Sequence, residues 1–119
     1  MIVRATVLAG LCAVFSACGS SSSTPSTPSP GAASVSIPVG ARTLGTSSYA
    51  PNPITVSAGA TVTWTNNDSI AHTSTSDSGV FDSGTIAAGA KFSFTFQSRG
   101  TFPYHCTFHP GMIASVVVQ

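Results

Sequence analysis

Two of the three histidines in this 119-residue chain, one of its three cysteines and its only methionine after the first residue fall within one short stretch, YHCTFHPGM, from Tyr104 to Met112. The spacing Cys106-x2-His109-x2-Met112 offers a thiolate, an imidazole and a thioether from a single segment, and His72, far upstream, can add a second imidazole. Two nitrogens and a thiolate in a trigonal set, with a long, weak bond to a thioether, are the ligands of copper sites that transfer one electron. Sulfur donors favour Cu(I) and imidazole suits both oxidation states, so gaining or losing an electron calls for little rearrangement. Zinc also binds His and Cys, but copper(II) stands above it in divalent affinity. His105 is not expected to be a ligand, because adjacent side chains of a strand face opposite ways and Cys106 takes the metal side; a surface imidazole is its expected role, with a second electron exit through the Cys106 backbone as the alternative.

Short strands must position these donors. From residue 34 onward apolar and polar residues alternate with period two, in SVSIPV, ITVSAGATVTWTN, AHTSTS, KFSFTFQ, TFPYHC and IASVVVQ. Phe92, Phe94 and Phe96 fall on one face of a strand whose other face carries Lys91, Ser93, Thr95 and Gln97, the pattern of a half-buried sheet. Turn signals at SAGA, TNNDS, SDSG, AAGA and SRGT separate the runs, and no stretch has the period of an amphipathic helix. The expected fold is all-β, a Greek-key antiparallel β-sandwich. In it Cys106 closes one strand, His109 and Met112 lie in the following turn, and packing must bring His72 to them.

Ahead of this region, residues 1–17 have one positive charge and an apolar run, Ala5 to Ala17, too short to span a bilayer as a helix. This is the profile of a signal peptide. The sequence VFSAC resembles the lipobox of bacterial lipoproteins, which implies acylation of Cys18; Phe15 stands where the lipobox favours Leu, and a conventional secretory cut nearby is the alternative. Residues 18–33 then supply a spacer of Ser, Thr, Pro, Gly and Ala that cannot bury a core and reaches about 45 Å if extended. After processing, Cys12 is gone and Cys18 is lipidated. Cys106 is left without a disulfide partner, and in an oxidising compartment such a thiol must be buried, reactive or metal-bound. Arg42, Lys91 and Arg99 balance Asp68, Asp77 and Asp82 after residue 33. So few cations exclude a nucleic-acid partner.

The segments YAPNPITVSAGATVTWTNNDSIAHT and GTFPYHCTFHPGM together resemble those of the cupredoxins, in particular plastocyanin and amicyanin, over about residues 34–119. The resemblance implies that His72, Cys106, His109 and Met112 hold one copper ion and that His109 lies near the surface as the electron port. Where relatives often carry an Asn that helps lock the ligand loop, this chain has Thr73, so the lock is not carried over. The function implied is a one-electron carrier rather than an enzyme, exported to the bacterial cell envelope and tethered through Cys18, with no small-molecule substrate. A monomer is expected, meeting redox partners through a small apolar rim of Phe108 and Pro110, with Phe102 and Pro103 as further candidates. A copper sequestration or delivery protein would use the same donors, and a metal-free adhesion module is the third class. Multicopper enzymes need more histidines than the three present.

Overall fold

The computed structural model describes residues 31–119. The predicted signal segment, Cys12, Cys18 and the spacer as far as residue 30 lie outside the described residues. Seven strands follow: β1 Ala32–Ile37, β2 Ile54–Val56, β3 Thr61–Asn66, β4 Thr75–Ser76, β5 Lys91–Thr95, β6 Gly100–His105 and β7 Ile113–Val118. They form two sheets, in the orders β1-β3-β5 and β2-β7-β6-β4. β1 includes Ala32 and Ala33, which the sequence assigns to the spacer.

The all-β sandwich expected from the alternation is present, but its sheets are mixed rather than purely antiparallel. β1 pairs with β3, and β2 with β7, in parallel; the β3–β5, β4–β6 and β6–β7 pairs are antiparallel. Alternation reports which face of a strand is buried and carries no information about its neighbour's direction. Direction is set by the connections: the chain leaves β1 in one sheet, passes through two 3-10 turns, Ala41–Thr43 and Gly45–Ser47, and enters the other sheet at β2. A short turn then returns it to the first sheet at β3.

Each strand buries the face that its pattern predicts. In β3, Val62, Trp64 and Asn66 point inward while the threonines between them face out. The outer hydroxyls pair across β3 and β5, Thr61 with Thr95 at 2.8 Å and Thr63 with Ser93 at 2.7 Å. Inside, the fully buried Trp64 lies 5.3 Å from the ring of Phe81, 5.6 Å from Phe92 and 5.6 Å from Tyr104. The Phe92, Phe94, Phe96 stripe is core as expected, with Phe96 fully enclosed and the other two packed at its margin. Phe102 packs against Phe96 with the rings tilted and their centres 5.3 Å apart, so it belongs to this cluster and not to a docking rim. Among the described residues no helix is long and apolar enough to cross a membrane.

The consequence for the site is positional. Ile37 pairs with Asn66, Lys91 with Thr65, and Ile113 with His105, so β1, β3 and β6 end, and β5 and β7 begin, toward the loops that carry the donors. Phe81, buried and touching Trp64, Phe94, Phe96 and Tyr104, supports this assembly from the β4–β5 connection. Replacing Phe81 by Ala is expected to cost about 3–5 kcal/mol, read as a lower urea midpoint at unchanged slope. Ser93→Ala on the outer face should stay within about 1 kcal/mol of the parent.

Candidate metal centre

Cys106 follows the last residue of β6, and the segment from Cys106 to Met112 is pinned by its own backbone. Cys106 N–H donates to Met112 O at 3.1 Å, His109 N–H to Cys106 O at 3.3 Å, and Met112 N–H to His109 O at 2.9 Å. Two tight turns therefore bring the thiol, the His109 ring and the Met112 backbone back on one another. Cys106 and Met112 are fully buried, and His109 is half-buried.

His72 arrives by a different route. After β3 the chain turns around Asn66, whose buried side-chain amide donates to Ile70 O at 2.8 Å and Ile86 O at 2.9 Å. Its side-chain oxygen accepts the N–H of Asp68 at 3.0 Å. A two-way backbone bridge, His72 N–H to Ile86 O at 3.1 Å and Ile86 N–H to His72 O at 2.7 Å, then fixes the histidine. Its Nε2 donates to Asp68 Oδ2 at 2.8 Å, which leaves Nδ1 as the acceptor nitrogen. That nitrogen faces Cys106 Sγ at 3.9 Å, and His109 Nδ1 lies 3.7 Å from the same sulfur.

One donor atom from each of His72, Cys106 and His109 thus lies within 4.8 Å of the others. For a first-row ion with bonds of about 2.3 Å to sulfur and about 2.0 Å to nitrogen, trigonal geometry separates sulfur and nitrogen by about 3.7 Å. The observed separations match that requirement, and a thiolate with two imidazoles is a copper donor set.

Around these donors the polar atoms are arranged to hold them. Thr73 N–H donates to Cys106 Sγ at 3.3 Å, while Thr73 Oγ1 accepts the N–H of Thr107 at 2.9 Å. Thr73 therefore does what the missing Asn left open: it ties the His72 loop to the ligand loop. The Tyr49 phenol donates to Thr73 O and holds the same residue from a third side. Burial pushes the Tyr49 phenol well above its ordinary range, reinforced by the neighbouring Cys106, and burial pushes Tyr104 up as well. Both stay neutral, and Tyr49 keeps the proton it donates to Thr73 O.

The bond from His72 holds the Asp68 carboxyl down at about 2. Residue types alone did not point to Asp68 or Asn66, although the signal was present. A metal-binding histidine needs an acceptor for its other ring N–H, and Asp68 stands four positions ahead of His72. His105, as expected, turns away from the sulfur: its Nδ1 pairs with Asp77, and its side chain is 34% exposed. Phe108 is 51% exposed and Pro110 is exposed beside it. Pro103 is exposed too, in a cleft with Asp77 and Ser115.

Comparison with known proteins agrees with this geometry. The sequence profile of the copper binding proteins of the plastocyanin/azurin family matches residues 36–119. The chain belongs to that family. Amicyanin of Paracoccus denitrificans is 34% identical over 76 residues, covering 60% of this chain and 58% of amicyanin, so the match spans little more than half of that relative. Plastocyanin of Scenedesmus fuscus is 32% identical over 84 residues, 60% of this chain and 86% of its own. Among solved structures, a purple cupredoxin from Nitrosopumilus maritimus superposes with a TM-score of 0.67 at 33% identity, covering 73% of this chain and 99% of its own. An amicyanin mutant in its Cu(I) form gives 0.63 at 30% identity, over 74% and 82%. The cupredoxin's cofactor is copper, one ion per chain.

The Asp68–His72 bond has a pH signature. Because the folded carboxyl titrates at about 2 and its ordinary value is 3.8, the stabilisation is complete above 3.8 and is lost as pH falls through about 2. Copper-free wild type should therefore exceed Asp68→Asn in denaturant midpoint at pH 5, and the gap should narrow toward pH 2. A gap independent of pH would contradict the assignment.

Proposed function

We propose that this cupredoxin is a blue copper electron carrier of the bacterial cell envelope and performs no substrate chemistry. The observation that carries the reading is the convergence of His72 Nδ1, Cys106 Sγ and His109 Nδ1. These three atoms would hold the ion, and Met112, buried at the end of the same closed loop, is the proposed weak fourth ligand. Copper bound there supplies a Cu(I)/Cu(II) couple that takes up and gives back one electron. The chain's own residues do the rest. Thr73 N–H partly compensates charge on the sulfur, Asp68 orients His72, and the buried surroundings of Cys106 exclude water.

His109, half-buried between Phe108 and Pro110, is the port. Those two exposed residues give a small apolar rim for a redox protein. Weak redox encounters use small interfaces of this kind. A monomer suffices for this role, and acylation at Cys18 would keep it near the membrane. A sequestration or delivery role would use the same donors, but full burial of His72, Cys106 and Met112 opposes ready surrender of the ion.

Adding Cu(II) to the protein should produce an intense visible thiolate-to-copper band at one ion per chain, absent in Cys106→Ser. A colourless wild type would overturn the copper assignment. A wild type that yields Cu(I) to a chelator within one redox cycle would instead support delivery over electron transfer.

A further inference from the structure

Asp82 touches none of the donor residues, yet its carboxylate ends a chain of hydrogen bonds that starts at the ligand loop. Asp82 Oδ1 lies 3.2 Å from Thr75 Oγ1, Thr75 Oγ1 lies 3.0 Å from Thr73 Oγ1, and Thr73 Oγ1 receives Thr107 N–H at 2.9 Å. The Thr107 hydroxyl also approaches Thr73 Oγ1, at 3.3 Å. A backbone bridge between Thr75 and Asp82, and the bond from Gly84 N–H to Asp82 Oδ1 at 2.9 Å, hold the carboxylate in place.

Proton counting gives this chain a direction. An ionised carboxylate only accepts, so the single hydroxyl proton of Thr75 must point at Asp82. Thr75 then has only lone pairs for Thr73, and the Thr73 proton must point at Thr75. Thr73 is left with its lone pairs toward Thr107, where an N–H and a hydroxyl stand ready to donate. Without the carboxylate, the Thr75 proton is free to turn toward Thr73. The Thr73 proton would then turn to the Thr107 hydroxyl oxygen, and Thr107 N–H would lose the aligned run of donors that ends on a fixed negative charge. Hydrogen bonds aligned head to tail also polarise one another.

We propose that Asp82 and Thr75 are remote positioning residues. They fix the polarity of the hydroxyl chain that clamps the Cys106–Thr107 peptide, so an exposed carboxylate sets how firmly the ligand loop is held. The effect on the loop stands in the copper-free chain; the effect on bound copper rests on the electron-carrier reading above.

The test is amide hydrogen exchange at Thr107 in the full chain without copper, with the Phe96 amide, bonded to Ala60 O at 2.9 Å, as a reference in the core. Asp82→Ala and Thr75→Val should each speed Thr107 exchange about tenfold and leave Phe96 unchanged. The double variant should do no more than either alone, and Thr75→Ser, which keeps the hydroxyl, should restore protection. In the copper-loaded chain, Thr75→Val should shift the thiolate-to-copper band and Thr75→Ser should not. Unchanged Thr107 exchange in both single variants, or additive effects in the double, would overturn the relay. Should Thr75→Val fail to fold, Asp82→Ala at its exposed position decides alone. Failure of copper to bind would remove the electron-carrier reading and leave the exchange result standing.

Discussion

The joint between two loops at Thr73 is the constraint on which this molecule depends. One loop brings His72 out of β3, the other brings Cys106, His109 and Met112 out of β6, and neither can make a metal site alone. Thr73 meets the second loop twice, through its N–H on the Cys106 sulfur and its hydroxyl under the Thr107 N–H. The Tyr49 phenol holds the Thr73 carbonyl from the core side. Three separate bonds to one residue leave it little freedom to move away from the thiolate. The donors are thus in place before any ion arrives.

The sandwich makes that joint affordable. Ordering two loops against each other costs backbone entropy of about 1–2 kcal/mol per residue, and the loops bury few large side chains to offset it. The offset comes from the ring cluster around Trp64 and from β7, whose Ala114, Val116 and Val118 complete the core. Asn66 connects the two regions, being both the last residue of β3 and the hub of the loop that carries Asp68 and His72. The core and the metal site are therefore separated in space and coupled through a few polar residues.

How much of this was legible in the sequence follows from what each signal can encode. The face each strand buries was legible, because inward and outward positions differ in residue type. Strand direction was not, since the parallel pairs of β1 with β3 and of β2 with β7 follow from sheet-switching connections that alternation does not report. Among the donors, the three side chains of His72, Cys106 and His109 were legible from element type and spacing, and they do converge. The polar supports were not. Asp68 looked like an ordinary loop acid, and Thr73 looked like the loss of a lock, because its hydroxyl acquires that role only when Thr107 of another loop is placed against it. A local pattern shows what a residue can donate or accept; only the fold shows to whom.

The central claim is that folding alone places His72 Nδ1, Cys106 Sγ and His109 Nδ1 around one point. Crystal structures of the full chain with and without copper test it most directly. The account predicts that the two sulfur–nitrogen separations in the copper-free crystal stay near the 3.9 Å and 3.7 Å found here, and that the loaded crystal shows one ion bonded to all three atoms. A copper-free structure with the His72 ring turned away from the sulfur, or an ion bound without Cys106, would contradict it.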